Sequence, residues 1–268
     1  MAGANSEAQR WAEAKRCYWE RGWAVVEGVF SAERVSAVAK LAQEIGYRDL
    51  EQAAASADSS YLVDRAASGQ LAPRKVNSPY TRDARFRELV LDPRLRALLK
   101  TVIGLPMKLA ADQILMKPPE IGSAKPYHQD NAYFRCDPGD HVVTAWIALD
   151  DVDEDNGCLR YIDGSHRQPI VAHEVIPGEP HNKVPPPDLI ERLIAATRES
   201  TAPVGIGGVV LHHCHTLHTS HVNRSRRWRR GYATHWAAAD VTSESGFVEG
   251  AYFNRPGYPD LACGAPVG

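Results

Sequence analysis

Apolar residues recur at helical spacing in the first third of the chain and give way to short alternating runs beyond Leu105. Residues 6–21 set Trp11, Ala14, Tyr18 and Trp19 among charges at helical spacing, which predicts an amphipathic helix ending near Gly22 and a short strand at Trp23–Val26. Ser31 has the chemistry of an N-cap for a second helix, with Val35, Val38, Leu41, Ala42 and Ile45 as its apolar stripe and Gly46 as its stop. Residues 47–75 are rich in Ala, Ser and Asp with weak periodicity, and read as a mobile segment or lid. Two helices are expected at 82–90 and 93–103, the second opened by Pro93.

Further on, β-rich segments lie at 108–116, 126–134, 141–149, 158–163, 170–176, 203–212, 216–222 and 228–238. Turn signals separate them: Pro118-Pro119, Pro138-Gly139, Asn156-Gly157, Asp163-Gly164 and the run Pro185–Pro187, with a helix at 188–199. About eight short strands divided this way predict an antiparallel double-sheet roll or barrel. The expected class is mainly β with flanking helices. The expected layout is one domain over 1–268: helical support in 1–104, a β core in 105–240 and a tail in 241–268. On the strand 142–149, parity puts Thr144 and Trp146 on one face, and Val143, Ala145, Ile147 and Leu149 on the other. The aliphatic face suits packing against another layer. The Thr/Trp face suits a partly polar cavity wall, with Trp146 as plain core the alternative.

The composition is that of an ordinary globular chain: 268 residues, 44% hydrophobic and 24% charged, with a net charge of −2. That balance argues against a dedicated nucleic-acid or membrane-surface binder. The first residues hold no signal-peptide core and no apolar run approaches the length of a membrane span, so a cytoplasmic protein is expected. Cys17, Cys136, Cys158, Cys214 and Cys263 are odd in number and never spaced C-x-x-C, which speaks against a disulfide scaffold or a structural zinc site.

Histidine changes the picture. Of 11 in the chain, five lie between His212 and His221. Upstream, His128-Gln129-Asp130 would aim an imidazole and a carboxylate at one point if the segment is extended. A later histidine can close a two-His, one-carboxylate triad, which holds Fe(II) on one face and leaves other positions open. The run Arg226-Arg227-Trp228-Arg229-Arg230 follows. In an alternating strand, either Arg227 and Arg229 or Arg226 and Arg230 can point inward, where a guanidinium needs an anion such as a carboxylate.

With these motifs the stretch MKPPEIGSAKPYHQDNAYFRCDPGDHVVTAWIALDDVDEDNGCLRYIDGSHR resembles the phytanoyl-CoA dioxygenase family of Fe(II)/2-oxoglutarate-dependent oxygenases. HTSHVNRSRRWRRGY is similar to that family's distal H-x-S-x-x-N-x-S…R segment, and the likeness spans most of residues 10–240. The resemblance implies a double-stranded β-helix (jelly-roll, cupin-like) core. It implies Fe(II) bound by His128, Asp130 and His218, with O2 and 2-oxoglutarate as co-substrates. It places Arg229 and Ser220 at the far carboxylate of 2-oxoglutarate, with Arg230 as the slip-by-one alternative. Trp146 is a candidate wall for the co-substrate, and Lys117 and Gln113 are candidate polar contacts from the neighbouring strand. Tyr133, Asn131 and the segment 47–75 are candidates to meet substrate.

The chain departs from the family pattern at Thr219 and His221, where glycines are usual, at Gly208, where an Asp is common, and at Asp163, where a Pro is common. None removes a ligand, but His221 can narrow the pocket or contact substrate, which bears on substrate class rather than on the chemistry. Asp130 occupies the position that related halogenases leave without a carboxylate, which favours hydroxylation or another oxidation over halogenation. The expected substrate is a small molecule: a secondary metabolite, a phosphonate, or an acyl-CoA, for whose phosphates Arg74, Lys75, Arg82, Arg85 and Arg87 are available. The alternatives are a zinc or manganese cupin-like isomerase or hydrolase, which would not need the arginine anchor, and a non-catalytic binding β-barrel with a vestigial triad.

Overall fold

Helix α1 (Glu7–Arg21) starts at a capping box: Gln9 N–H donates to Ser6 Oγ at 3.3 Å and Ser6 N–H to Gln9 Oε1 at 2.8 Å. It stops at Gly22, whose φ of 88° is left-handed and whose N–H returns to the Tyr18 carbonyl at 2.8 Å. The computed structural model describes residues 6–53, 62–66 and 68–255. Five further helices follow: α2 (Ala32–Ala53), α3 (Ala84–Val90), α4 (Pro93–Ile103), the single turn α5 (Asn131–Phe134) and α6 (Pro187–Ala196).

Two antiparallel sheets form the β core. In chain order their strands are β1 (Trp23–Val26), β2 (Lys75–Asn77), β3 (Met107–Lys117), β4 (Lys125–His128), β5 (Val142–Ala148), β6 (Leu159–Ile162), β7 (Glu199–Ala202), β8 (Val209–His213), β9 (His218–Ser220) and β10 (Arg229–Ala238). The larger sheet runs β1-β8-β5-β10-β3-β2 and the smaller β7-β6-β9-β4, the arrangement of a double-stranded β-helix. Alternation sorts the side chains into two layers. Val143, Ala145 and Ile147 of β5, with Ile114 and Met116 of β3, pack under α1, α2, α3 and α4. Trp146, Ala148, Val210 and Ala233 face Leu159, Tyr161 and Ala202 of the smaller sheet. The parity expected on β5 is therefore observed.

Four segments differ from the sequence expectation. Helix α2 runs through Gly46: a Cβ there would lie 2.6 Å from Pro73 Cβ and 2.9 Å from Met116 Cε, so this glycine permits close packing rather than ending the helix. Segment 126–134 is strand only to His128 and then turns into α5. Segment 203–212 begins as a turn through Gly205, Gly207 and Gly208, and its strand starts at Val209. Within 170–176 only Glu174–Ile176 is strand, paired with Glu179–Val184. Of the expected lid, the first residues belong to α2, while Val63–Arg65 and Leu71–Pro73 form a hairpin. Residues 54–61 and 67 lie outside the described residues, as do Cys263 and the end of the tail. Among the described residues no helix is long and apolar enough to cross a membrane, and Cys17, Cys136, Cys158 and Cys214 are free.

Candidate active site

His128 ends β4 and His218 begins β9; the two are register partners with ring centroids 4.1 Å apart. Asp130 arrives differently from the extended geometry expected. Its backbone is helical (φ −57°, ψ −37°), because the chain turns at Gln129. That turn is held by Gln129 itself: its Nε2 donates to the His215 carbonyl at 2.7 Å and its Oε1 accepts from Val171 N–H at 2.9 Å. Asp130 Oδ1 comes to 3.7 Å from Nε2 of both histidines, and the three ligand atoms lie within 4.8 Å of one another.

The donor set suits a divalent transition metal. Each histidine gives its Nδ1 hydrogen to a backbone carbonyl, His128 to Pro126 at 2.9 Å and His218 to Thr216 at 2.8 Å, which leaves both Nε2 lone pairs facing the carboxylate. Burial, then the neighbouring His218, holds His128 well below the usual histidine range. Burial, then His212, holds His218 down to about 4. Burial acts to raise Asp130, but the His212 hydrogen bond and the adjacent imidazoles reverse that and keep it ionised. Two neutral imidazoles and one carboxylate are thus ready to bind without losing protons.

Asp130 Oδ2 is engaged away from the triad. It accepts from Thr144 Oγ1 at 2.7 Å and from His212 Nε2 at 3.1 Å. Behind His212, the Tyr161 hydroxyl donates to Nδ1 at 2.9 Å; behind Thr144, His235 Nδ1 donates to the hydroxyl at 2.9 Å, and Gln113 Nε2 stands 3.4 Å from His235 Nε2. One assignment of tautomers satisfies all of these contacts and points Oδ1 alone at the histidines.

Arg229 lies on the inward face of β10, opposite Lys117 of β3. Its guanidinium sits over the Trp146 ring at 4.6 Å, and both Nε and Nη2 are buried without a hydrogen-bond partner. Burial lowers its pKa to about 10. A buried guanidinium with two idle donors is built for an anion. Gly231 makes room for the arrangement, since a Cβ there would lie 1.7 Å from Trp146 Cζ2. Lys117 is also buried and donates to the Ser123 carbonyl. Ser220 faces inward opposite Leu159. The Asn of the distal motif, Asn223, ties this corner: its Nδ2 donates to the carbonyls of Lys117 at 3.0 Å, Pro118 at 3.1 Å and Arg227 at 2.7 Å.

His128, Asp130 and His218 therefore converge, Arg229 and Trp146 touch, and Gln113 joins the network behind Asp130. Arg230 points outward to Asp150 at 2.6 Å and to Gln43 at 2.9 Å, which removes the slip-by-one alternative. His221 is exposed beside Glu154, Asp155 and Arg160, so it does not narrow the pocket. Asn131 is fully buried and holds the turn through Cys136 N–H at 2.7 Å, so it does not meet substrate. Tyr133 does flank the triad, its ring 5.9 Å from that of His128. Sequence reasoning gives His235 no part in this network and leaves His212 among supporting, core or surface roles; both are register partners of Thr144, a pairing that only the fold shows.

The chain is 31% identical over 234 residues to a Stutzerimonas stutzeri protein named a probable alpha-ketoglutarate-dependent hypophosphite dioxygenase, covering 86% of this chain and 79% of that one. It is 29% identical over 175 residues to mouse phytanoyl-CoA dioxygenase domain-containing protein 1, a match spanning 63% of this chain and 59% of the relative. In fold it is similar to the epimerase SnoN in complex with Fe3+, alpha ketoglutarate and nogalamycin RO, with a TM-score of 0.68 at 22% identity, covering 98% of this chain and 97% of that one. The family model described as phytanoyl-CoA dioxygenase matches residues 18–231, from the end of α1 to the strand that carries Arg229. Fold, motif order and this match agree: the chain is a member of the phytanoyl-CoA dioxygenase family of 2-oxoglutarate-dependent non-haem oxygenases.

Proposed function

We propose that this protein is an Fe(II)- and 2-oxoglutarate-dependent hydroxylase of a small molecule, with His128, Asp130 and His218 as metal ligands. The observation that carries the reading is the pairing of that triad with a buried, unsatisfied Arg229 on the same inner face. A metal site alone would fit many chemistries; a metal site with a guanidinium waiting for a carboxylate fits a keto-diacid co-substrate. When bound, iron would couple O2 and the oxidative decarboxylation of 2-oxoglutarate, giving succinate and CO2, to oxidation of a substrate C–H bond.

The chain's own residues supply geometry. Arg229, on its Trp146 platform and opposite Lys117, grips the far carboxylate of the co-substrate, with Ser220 as a further donor to it, and so sets its reach towards the triad. Thr144 and His212 occupy Asp130 Oδ2, which keeps that carboxylate single-toothed and leaves room on the metal face. Tyr133 and the surrounding β-strands shield the site from water. The same reading takes 1–268 as one domain. It is supported by Trp23–Val26 and Lys75–Asn77 pairing directly into the larger sheet of the core.

The test is anaerobic reconstitution with Fe(II) and 2-oxoglutarate, then oxygenation with a metabolite panel, reading succinate and the mass of the oxidised product. Substrate-coupled succinate with one oxygen atom added to the product is expected, lost in Asp130→Ala. Coupled succinate with a product of unchanged mass would replace hydroxylation by epimerisation. Turnover that needs no 2-oxoglutarate would overturn the reading.

A further inference from the structure

One cation beside the triad, Lys125 on β4, belongs neither to the metal-ligand set nor to the Arg229–Trp146 contact. Strand β4 pairs with β9 through a bulge: His128 lies opposite His218, but Lys125, not Pro126, lies opposite Ser220. Cross-strand partners share a face, so the extra residue turns Lys125 onto the inner face with the metal histidines. Without the bulge, alternation from His128 would point it outward.

The Lys125 ammonium is desolvated yet meets only neutral oxygens, Asn182 Oδ1 at 2.5 Å and the Tyr133 hydroxyl at 3.4 Å. It lies over the Tyr133 ring at 5.4 Å, and that same ring flanks His128. Among the described residues it forms no ion pair. The carboxylates of Asp130 and Glu179 act on it from a distance, and Glu179 is held by Asn182 Nδ2 at 2.6 Å. The remaining field is positive: after burial, Arg74 and Lys75 are the main causes that lower its pKa to about 8. Arg229 sits in other company, over the Trp146 ring and opposite Lys117. Arg229 and Lys125 thus come from different sheets, Arg229 from β10 of the larger and Lys125 from β4 of the smaller, and the far carboxylate of one dicarboxylate engages the first.

Resting on the hydroxylase function, we infer that Lys125 anchors an anionic group of the primary substrate, which is a small molecule bearing a compact oxyanion, either a carboxylate or a phosphorus oxyanion. An ammonium buried without a counter-charge binds such a group strongly, because it loses little further hydration on contact. Tyr133 and Asn182 orient the ammonium, and the short path from Lys125 past Tyr133 to His128 holds the substrate's C–H bonds against the metal face. A large CoA surface is not needed: Arg82 is taken by Asp49, Arg85 by Asp83 and Arg87 by the Tyr80 carbonyl.

The experiment is calorimetric titration of the protein loaded with Mn(II) and 2-oxoglutarate, using methylphosphonate and acetate as anionic probes and dimethyl sulfone and acetamide as neutral counterparts. Wild type should bind at least one anion and neither neutral probe, and the preferred anion names the source. Lys125→Met should weaken anion binding about 10- to 100-fold, Lys125→Arg should retain most of it, and both should bind 2-oxoglutarate as wild type does. Lys125→Gln serves if the methionine variant fails to fold. Equal anion binding in wild type and variant, or a loss that falls on 2-oxoglutarate instead, overturns the inference while leaving the hydroxylase reading intact. Failure of wild type to bind 2-oxoglutarate overturns the hydroxylase reading, and the inference with it.

Discussion

Replacing Arg229 with methionine will make the ligand-free protein more stable while removing its grip on 2-oxoglutarate. Burial lowers the Arg229 pKa to about 10, well below that of a free guanidinium, which corresponds to roughly 3 kcal/mol against the charged form. The contact with Trp146 returns about 1 kcal/mol, leaving a net penalty of about 2 kcal/mol. A base whose pKa is lower in the folded state carries that penalty in full below about pH 10 and sheds it only as pH climbs towards the value of a free guanidinium, so ordinary buffers do not change it. Methionine fills similar volume, brings no charge to desolvate and keeps a sulfur contact with the indole. The apo melting temperature should therefore rise by roughly 5 °C. Wild type should gain stability when Mn(II) and 2-oxoglutarate are added together, whereas the variant should respond to the metal alone. Its 2-oxoglutarate affinity should fall about 100-fold for loss of a paired guanidinium–carboxylate contact. Calorimetric melts with and without co-substrate read both effects. A variant that melts below wild type, or one still stabilised by 2-oxoglutarate, would refute the account of Arg229 as a charge held open for an anion.

Arg230→Ala is the matched control. It breaks the half-buried pair with Asp150 and the contact with Gln43, so stability should drop by about 2 kcal/mol with 2-oxoglutarate affinity unchanged, as urea melts and calorimetry will show. Thr144→Val removes one of the two donors to Asp130 Oδ2 and strands the His235 N–H. A stability loss of about 1–3 kcal/mol is expected, with metal affinity about tenfold weaker in a chelator competition; unchanged affinity would reduce the hydroxyl to packing. Burial holds His213 and His235 at about 4 against 6.5 for a free histidine. The unfolded chain therefore binds more protons between those values, and apo stability should fall by several kcal/mol as pH drops from 6.5 towards 4. A melting temperature flat over that range would show that neither imidazole is buried in solution.

Much of this site is legible in the amino-acid sequence because its signals are local or carried by motif order. The family resemblance, through the interval after His218, points to Arg229, which the structure finds buried against Trp146 with Gly231 making the room. Parity along 142–149 separates Thr144 and Trp146 from the aliphatic face correctly. Errors arise where one residue type serves two ends. Gly46 has the look of a helix stop, but its missing Cβ admits Pro73 and Met116, neighbours distant in sequence. His221 has the look of a pocket residue because it sits beside ligands along the chain, yet alternation from His218 through Thr219 and Ser220 carries it outside.

By itself the sequence determined the elements and the donor types: amphipathic helices first, short strands after, two histidines and a carboxylate in motif order, and an arginine at the right interval. The elements follow from periodicity and capping, which operate over a few residues and survive without knowledge of contacts, and the donors and the arginine follow from the resemblance in motif order. Only the tertiary structure decided which groups act together. The turn at Gln129 brings Asp130 into the triad by a helical backbone rather than strand alternation. The network from Tyr161 and Gln113 to Asp130 joins residues from several separate strands and the turn. The bulge in β4 reverses the facing of Lys125. Each depends on long-range register, and a shift of one residue in register exchanges inside for outside, which no local pattern can specify.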